Sequence, residues 1–102
     1  MNFVVVIPTK NRPDDLDRII ESINHSTELP QKVIIVDQSD TICKTIHSDI
    51  YKVEHLHATD VSGLTAAKNE GIKHCESDII HFFDDDIIVV SNYFEVLNSH
   101  LI

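Results

Sequence analysis

Asp84, Asp85 and Asp86 stand in a row after His81-Phe82-Phe83 and before Ile87-Ile88-Val89-Val90, so three carboxylates interrupt a run that otherwise reads as a buried strand. Carboxylates this close repel one another, and without a cation or hydrogen-bond donors at least one of them holds its proton. A divalent metal resolves the conflict. If the backbone stays extended, side chains alternate faces, which turns Asp84 and Asp86 to one side and Asp85 to the other. Two convergent carboxylates suit a hard, octahedral ion such as Mg2+ or Mn2+, which keeps coordination positions free for the phosphate oxygens of a substrate. The competing reading is a solvated acidic turn at the end of a strand.

The elements that must position these acids follow from the pattern of apolar residues. Asn2 to Ile7 is a nearly continuous β-branched and aromatic run, expected as a strand buried on both faces, with Pro8 ending it. Thr9-Lys10-Asn11-Arg12-Pro13-Asp14-Asp15 then reads as a loop feeding a helix, with Pro at its first position and acids in its first turn. Leu16, Ile19, Ile20 and Ile23 give that helix one apolar face. Lys32 to Val36 is expected as a second buried strand ending at Asp37-Gln38-Ser39-Asp40, which completes a right-handed βαβ unit.

Further along, Thr41 to His47 predicts a short helix, Lys52 to Leu56 a strand, and Ser62 to His74 a helix capped by Ser62. Leu64, Ala67 and Gly71 would form its sheet-facing side. Ser77 to Phe83 predicts another strand, with Ile87 to Val90 continuing extended. Asn92 and Glu95 read as a capping box opening a last helix that carries Phe94, Leu97 and Leu101. The expected fold is therefore α/β: an open, mostly parallel sheet with helices on both faces. Ligands of such sheets bind outside the carboxyl ends of the strands, where Pro8 to Arg12, Asp37 to Asp40 and Asp84 to Asp86 converge.

The whole chain sets bounds on its partners. With 102 residues, 42% of them hydrophobic and 25% charged, residues 1–102 are read as a single domain. Eight Lys and Arg against 17 Asp and Glu leave a formal net charge of −9, which argues against nucleic acid as a partner. Cys43 and Cys75 have neither CxxC spacing nor a matching His pattern, so reduced, packed thiols are expected. The apolar start lacks a basic leader and no segment reaches membrane-spanning length, which gives the expectation of a cytoplasmic protein with no membrane span. Of the seven histidines, His55 and His57 read as surface residues of an edge strand and His81 as a packed, hydrogen-bonded residue.

Four segments taken together, Val5-Val6-Ile7-Pro8-Thr9-Lys10-Asn11-Arg12, Ile35-Val36-Asp37-Gln38-Ser39-Asp40, Gly63-Leu64-Thr65-Ala66-Ala67-Lys68-Asn69-Glu70-Gly71 and Phe82-Phe83-Asp84-Asp85-Asp86, resemble the nucleotide-binding half of family 2 glycosyltransferases with the Rossmann-like GT-A fold. The resemblance covers almost the whole chain. It implies a nucleoside diphosphate-sugar donor, a UDP-sugar first, with Mn2+ or Mg2+, and a sugar or glycan acceptor for inverting transfer. By resemblance Pro8 and Thr9 lie against base and ribose, and Asp37 bonds base or ribose; capping the next helix is the rival role for Asp37. Asn11 and Arg12 position their loop, unless Arg12 is simply an exposed helix charge. Lys68 stands where the family has Arg and would face the diphosphate as a point charge without Arg's fork. Asp84 belongs to the ribose and metal shell, Asp86 is the principal metal ligand, and Asp85 takes over if the register slips by one.

Two departures accompany the likeness. The family's Asp-Asp-Gly-Ser is reduced to Asp37-Gln38-Ser39-Asp40, and the acid that serves the family as catalytic base, in its acceptor half, has no matching position, so no catalytic residue is assigned. A donor-binding portion incomplete for catalysis is thus the first expectation. The alternative is a non-catalytic nucleotide- or metal-binding module completed by a partner or by self-association into a homo-oligomer. A phosphohydrolase with an Asp nucleophile is disfavoured, because no Asp-x-Asp-x-Thr pattern occurs and the acids follow the fourth expected strand.

Overall fold

Val4–Thr9 (β1) is buried at every position, as its unbroken β-branched sequence requires of a strand covered on both faces. The computed structural model describes residues 2–41, 45–60, 62–77 and 79–100. After β1 come Pro13–Asn24 (α1), Lys32–Asp37 (β2), Lys52–His57 (β3), Leu64–Ile72 (α2), Ile80–Phe82 (β4) and Tyr93–Ser99 (α3). The strands form one sheet in the order β3-β2-β1-β4, and every pairing is parallel. Odd and even positions of β1 serve opposite faces. Phe3, Val5 and Ile7 pack with Leu16, Ile19, Ile20 and Ile23 of α1 and with Phe94 of α3, whereas Val4 and Val6 pack with Ala67 of α2. The expected α/β sheet with helices on both faces is what forms.

Pro8 does not end β1. It pairs in register with Val36, and the strand runs on to Thr9. The N–H of Val4 and the carbonyl of Val6 bond towards β4, so the nitrogen of residue 8 faces that same side. There the β1·β4 pairing has stopped at Val6 and Phe82, and the missing proline N–H has no partner to lose.

β4 is shorter than the expected Ser77 to Phe83, and Ile87 to Val90 does not continue it. The chain turns at Asp85 and Asp86 and crosses α1, where the Val89 N–H donates to Ser22 Oγ at 3.0 Å and the Val89 side chain joins the core. Residues 45–47 of the expected short helix are not helical, because the Ile46 N–H is taken by a side chain of β3; residues 42–44 of that expectation, Cys43 included, lie outside the described residues. Ser62 does not cap α2. Gly63 is its N-cap at φ 88°, a backbone conformation that glycine reaches without a Cβ clash, and it leaves Leu64 exposed rather than against the sheet. Asn92 is the N-cap of α3 but makes no side-chain cap bond, and Glu95 instead accepts from Thr27 Oγ1 at 3.4 Å, so the expected capping box is absent; Leu101 lies outside the described residues.

The remaining packing expectations are met. His81 is buried, edge-on to Phe3, with Nε2 3.2 Å from Asn98 Oδ1. The Cys75 thiol is free and donates to the Gly71 carbonyl, and burial pushes it up from its ordinary pKa. Among the described residues no helix is long and apolar enough to cross a membrane.

Candidate functional site

The carboxyl ends of β1, β2 and β4 open onto one cleft of about 830 Å³. Its lining combines Pro8 and Thr9 at the end of β1 with Lys10, Asn11 and Arg12 after it, Gln38 and Asp40 after β2, Thr59, Ser62 and Gly63 before α2 with Leu64 at its start, and Asp84 to Asp86 after β4. Members of all three polar clusters picked out by sequence thus share a cavity, Asp37 and Ser39 excepted. Lys10 and Arg12 bring positive charge to the same wall as the acids.

The acidic triplet divides by burial, although the chain turns at Asp85 and Asp86 instead of running extended as the expected alternation needed. Asp85 is only 6% exposed: Thr9 Oγ1 donates to its Oδ2 at 2.7 Å, and Arg12 donates to its Oδ1 at 3.2 Å. Its carboxylate therefore ties the loop after β4 to the end of β1. Asp84 and Asp86 are exposed and face the cleft.

Asn11 holds the next junction. It sits at φ 56°, in the left-handed region that Asn tolerates better than most residues. In that pose its N–H donates to Ser39 Oγ at 2.7 Å, its side-chain oxygen accepts the Asp40 N–H at 3.1 Å, and its amide donates back to Asp40 Oδ2 at 3.4 Å. Two loops 28 and 29 residues apart in sequence are locked by the backbone and side chain of one residue.

Asp37 lies apart from the main cleft, on a second cavity of about 250 Å³ shared with Thr9, Asn11, Arg12, Leu16, Ile46 and His55. Oδ1 accepts the Ser39 N–H at 2.9 Å, and Oδ2 lies 2.8 Å from His55 Nε2. Burial works to raise this carboxyl, but the hydrogen bonds from Ser39 and His55 outweigh it and hold Asp37 below the usual carboxylate range. Among the described residues no helix directly follows for Asp37 to cap. His55 is thus not the surface residue expected of an edge strand: its side chain is 2% exposed, because a buried carboxylate across the strand pair needs its N–H. His57, two residues on, sets Nε2 2.7 Å from the Ser39 carbonyl.

Lys68 lines neither cavity; its Nζ stands 5.5 Å over the Phe82 ring, within cation–π range. Thr59 belongs to the cleft without a signal in the sequence, whereas Lys10 and Gln38, whose Nε2 donates to the Gly63 carbonyl at 3.3 Å, lie within the converging clusters but have no individual role in the sequence reading. Among the described residues no three His, Cys, Asp or Glu side chains are grouped closely enough to hold a metal ion by themselves.

A parallel sheet in this strand order, with its acids gathered at the carboxyl ends, defines a Rossmann-like α/β protein of the GT-A type. The chain belongs to glycosyl transferase family 2, whose model matches residues 4–101. It is 31% identical over 104 residues to the uncharacterized glycosyltransferase YwdF of Bacillus subtilis, covering 99% of this chain and 38% of that protein. It is also 31% identical over 106 residues to the pre-mycofactocin glycosyltransferase of Mycobacterium tuberculosis, covering 97% of this chain and 21% of that one. The crystal structure of S. aureus TarS superposes on 99% of the chain with a TM-score of 0.71 at 19% identity, over 19% of its own length. The chain therefore spans well under half the length of these relatives.

Proposed function

We propose that residues 1–102 act as one donor-binding unit of a cytoplasmic glycosyltransferase, holding a nucleoside diphosphate-sugar, a UDP-sugar first, with Mg2+ or Mn2+ for inverting transfer to a sugar or glycan acceptor. The observation that carries this reading is the division of the triplet: Asp85 is consumed by Thr9 and Arg12, while Asp84 and Asp86 stay exposed in a cleft that also holds Lys10. Two carboxylates, with no third ligand grouped beside them among the described residues, fit a hard ion that leaves coordination positions for phosphate oxygens and water. Such an ion, when bound, stabilises charge developing on the departing nucleoside diphosphate. The protein's own part is to present Asp84 and Asp86 together, to set Lys10 beside the anion, and to keep Thr9 and Pro8 against the nucleoside. The proposal assigns no catalytic base.

Calorimetric titration of UDP with and without Mn2+ tests it. Metal-dependent binding in the wild type that is lost in Asp84→Ala/Asp86→Ala is the expected result. Equal binding with and without metal, or a folded double variant that binds as the wild type does, refutes the metal site; a folded wild type that binds nothing refutes the donor site.

A further inference from the structure

We propose that His55 is a positioning residue for nucleobase recognition: it holds the Asp37 carboxylate in one orientation towards the smaller cavity. The inference rests on the donor-site reading above and deepens it.

The hydrogen bonds settle which nitrogen carries the proton. The Ile46 N–H, which can only donate, points at His55 Nδ1 at 3.1 Å, so Nδ1 is the bare nitrogen and Nε2 carries the hydrogen. That Nε2–H then donates to Asp37 Oδ2 at 2.8 Å. A neutral imidazole is thereby fixed as a donor, with its ring plane set from both ends. From the other side the Ser39 N–H grips Asp37 Oδ1, so the carboxylate is held at both oxygens and its plane cannot turn. His57, on the same face of β3, bonds the Ser39 carbonyl and holds the second grip in place.

His55 uses one of the two acceptor positions on Oδ2, which leaves capacity for an incoming donor. The cavity in front of the pair has Leu16 and Ile46 as apolar wall and Asp37 as its buried anion. Nucleobases are flat, apolar on their faces, and carry N–H groups in the ring plane. A carboxylate of fixed plane beside an apolar wall is complementary to such a group, and its orientation sets whether ring and N–H are satisfied together.

The test compares two ligands on the full 102-residue chain, UDP with Mn2+ and inorganic diphosphate with Mn2+, both by calorimetry. His55→Phe keeps a ring and loses the donor, whereas His55→Gln loses the ring and keeps an N–H at a similar reach. His55→Phe is expected to weaken UDP about ten-fold or more, as loss of a charge-assisted orienting bond does. It should leave diphosphate binding unchanged, and His55→Gln should restore most of the UDP affinity. UDP affinity unchanged in His55→Phe, or UDP and diphosphate lost in parallel, overturns the proposal and leaves His55 a scaffold residue. A wild type that binds diphosphate but not UDP overturns it too, whereas one that binds neither removes the donor site itself. Should His55→Phe not fold, the comparison moves to His55→Phe/Asp37→Asn, which strands no buried charge. There UDP affinity equal to that of Asp37→Asn alone supports the proposal, and a further loss overturns it.

Discussion

Replacing Thr9 with Val keeps the shape of a buried β1 residue and removes one hydroxyl, the donor at 2.7 Å to Asp85 Oδ2. A hydrogen bond to a charged, buried acceptor contributes about 1.5–3 kcal/mol, and here the acceptor is left under-satisfied. Arg12 offsets little of that loss. Its side chain is 57% exposed and reaches Asp85 through one nitrogen, the kind of pair that contributes about 0–1 kcal/mol. A net cost of about 2 kcal/mol follows. With a urea slope of about 1.3 kcal/mol/M for a chain of this size, the unfolding midpoint should fall by about 1.5 M. Circular dichroism of Thr9→Val and Asp85→Ala, singly and together, isolates the bond: Thr9→Val should cost almost nothing once Asp85 is gone. A midpoint within about 0.3 M of wild type, or a full cost in the Asp85→Ala background, would show that this bond does not hold the loop after β4 to β1.

Two further outcomes follow from packing and burial. In Gly71→Ala the new Cβ would lie 2.5 Å from Val6 Cγ1, a β-branched side chain restricted at χ1 on a central strand; helix propensity returns about 1 kcal/mol and overpacking costs about 1–3, so the thermal midpoint should fall, and a rise would show that α2 can lift off β1 freely. Burial pushes the Tyr51 phenol up to about 12, and its hydroxyl donates to Asn24 Oδ1. Its folded pKa is raised, so its contribution is complete below the unfolded tyrosine value of about 10 and is lost as the pH climbs towards that folded value. The stability difference between wild type and Tyr51→Phe should narrow across that window, and a difference independent of pH would contradict the assignment.

Much of the fold could be read in the sequence because β1, β2 and α1 bury continuous or regularly spaced apolar residues, and burial is what those patterns encode. The chemistry at the strand ends was less legible for a stated reason in each case. Pro8 reads as a stop until β4 is seen to leave β1 just before it. His55 reads as solvent-facing because an alternating strand at the edge of a sheet has one wet face; what overturns this is Asp37, 18 residues away, whose need for a donor no local pattern reveals. Asp85 differs from Asp84 and Asp86 in burial rather than in the cavity it lines, and its engagement by Thr9 and Arg12 spans more than 70 residues, beyond any local pattern. Ser62 reads as a cap by residue type, while Gly63 supplies the backbone angle that starts α2 there.

The pairing of β1 with β4 also bears on how the chain is made. β1 meets β2 across a short crossover, but its other neighbour lies at Ile80–Phe82, so Val4 waits for a partner 76 positions later. On the ribosome β1, β2 and β3 can pair as soon as they emerge. One side of that apolar strand then stays uncovered until Ile80–Phe82 has emerged. Long-range parallel pairing of this kind closes slowly, and an open apolar edge recruits other strands while it waits. The same late closure brings Asp84 to Asp86 to the end of β1, so the cleft is completed in the step that removes the exposed edge.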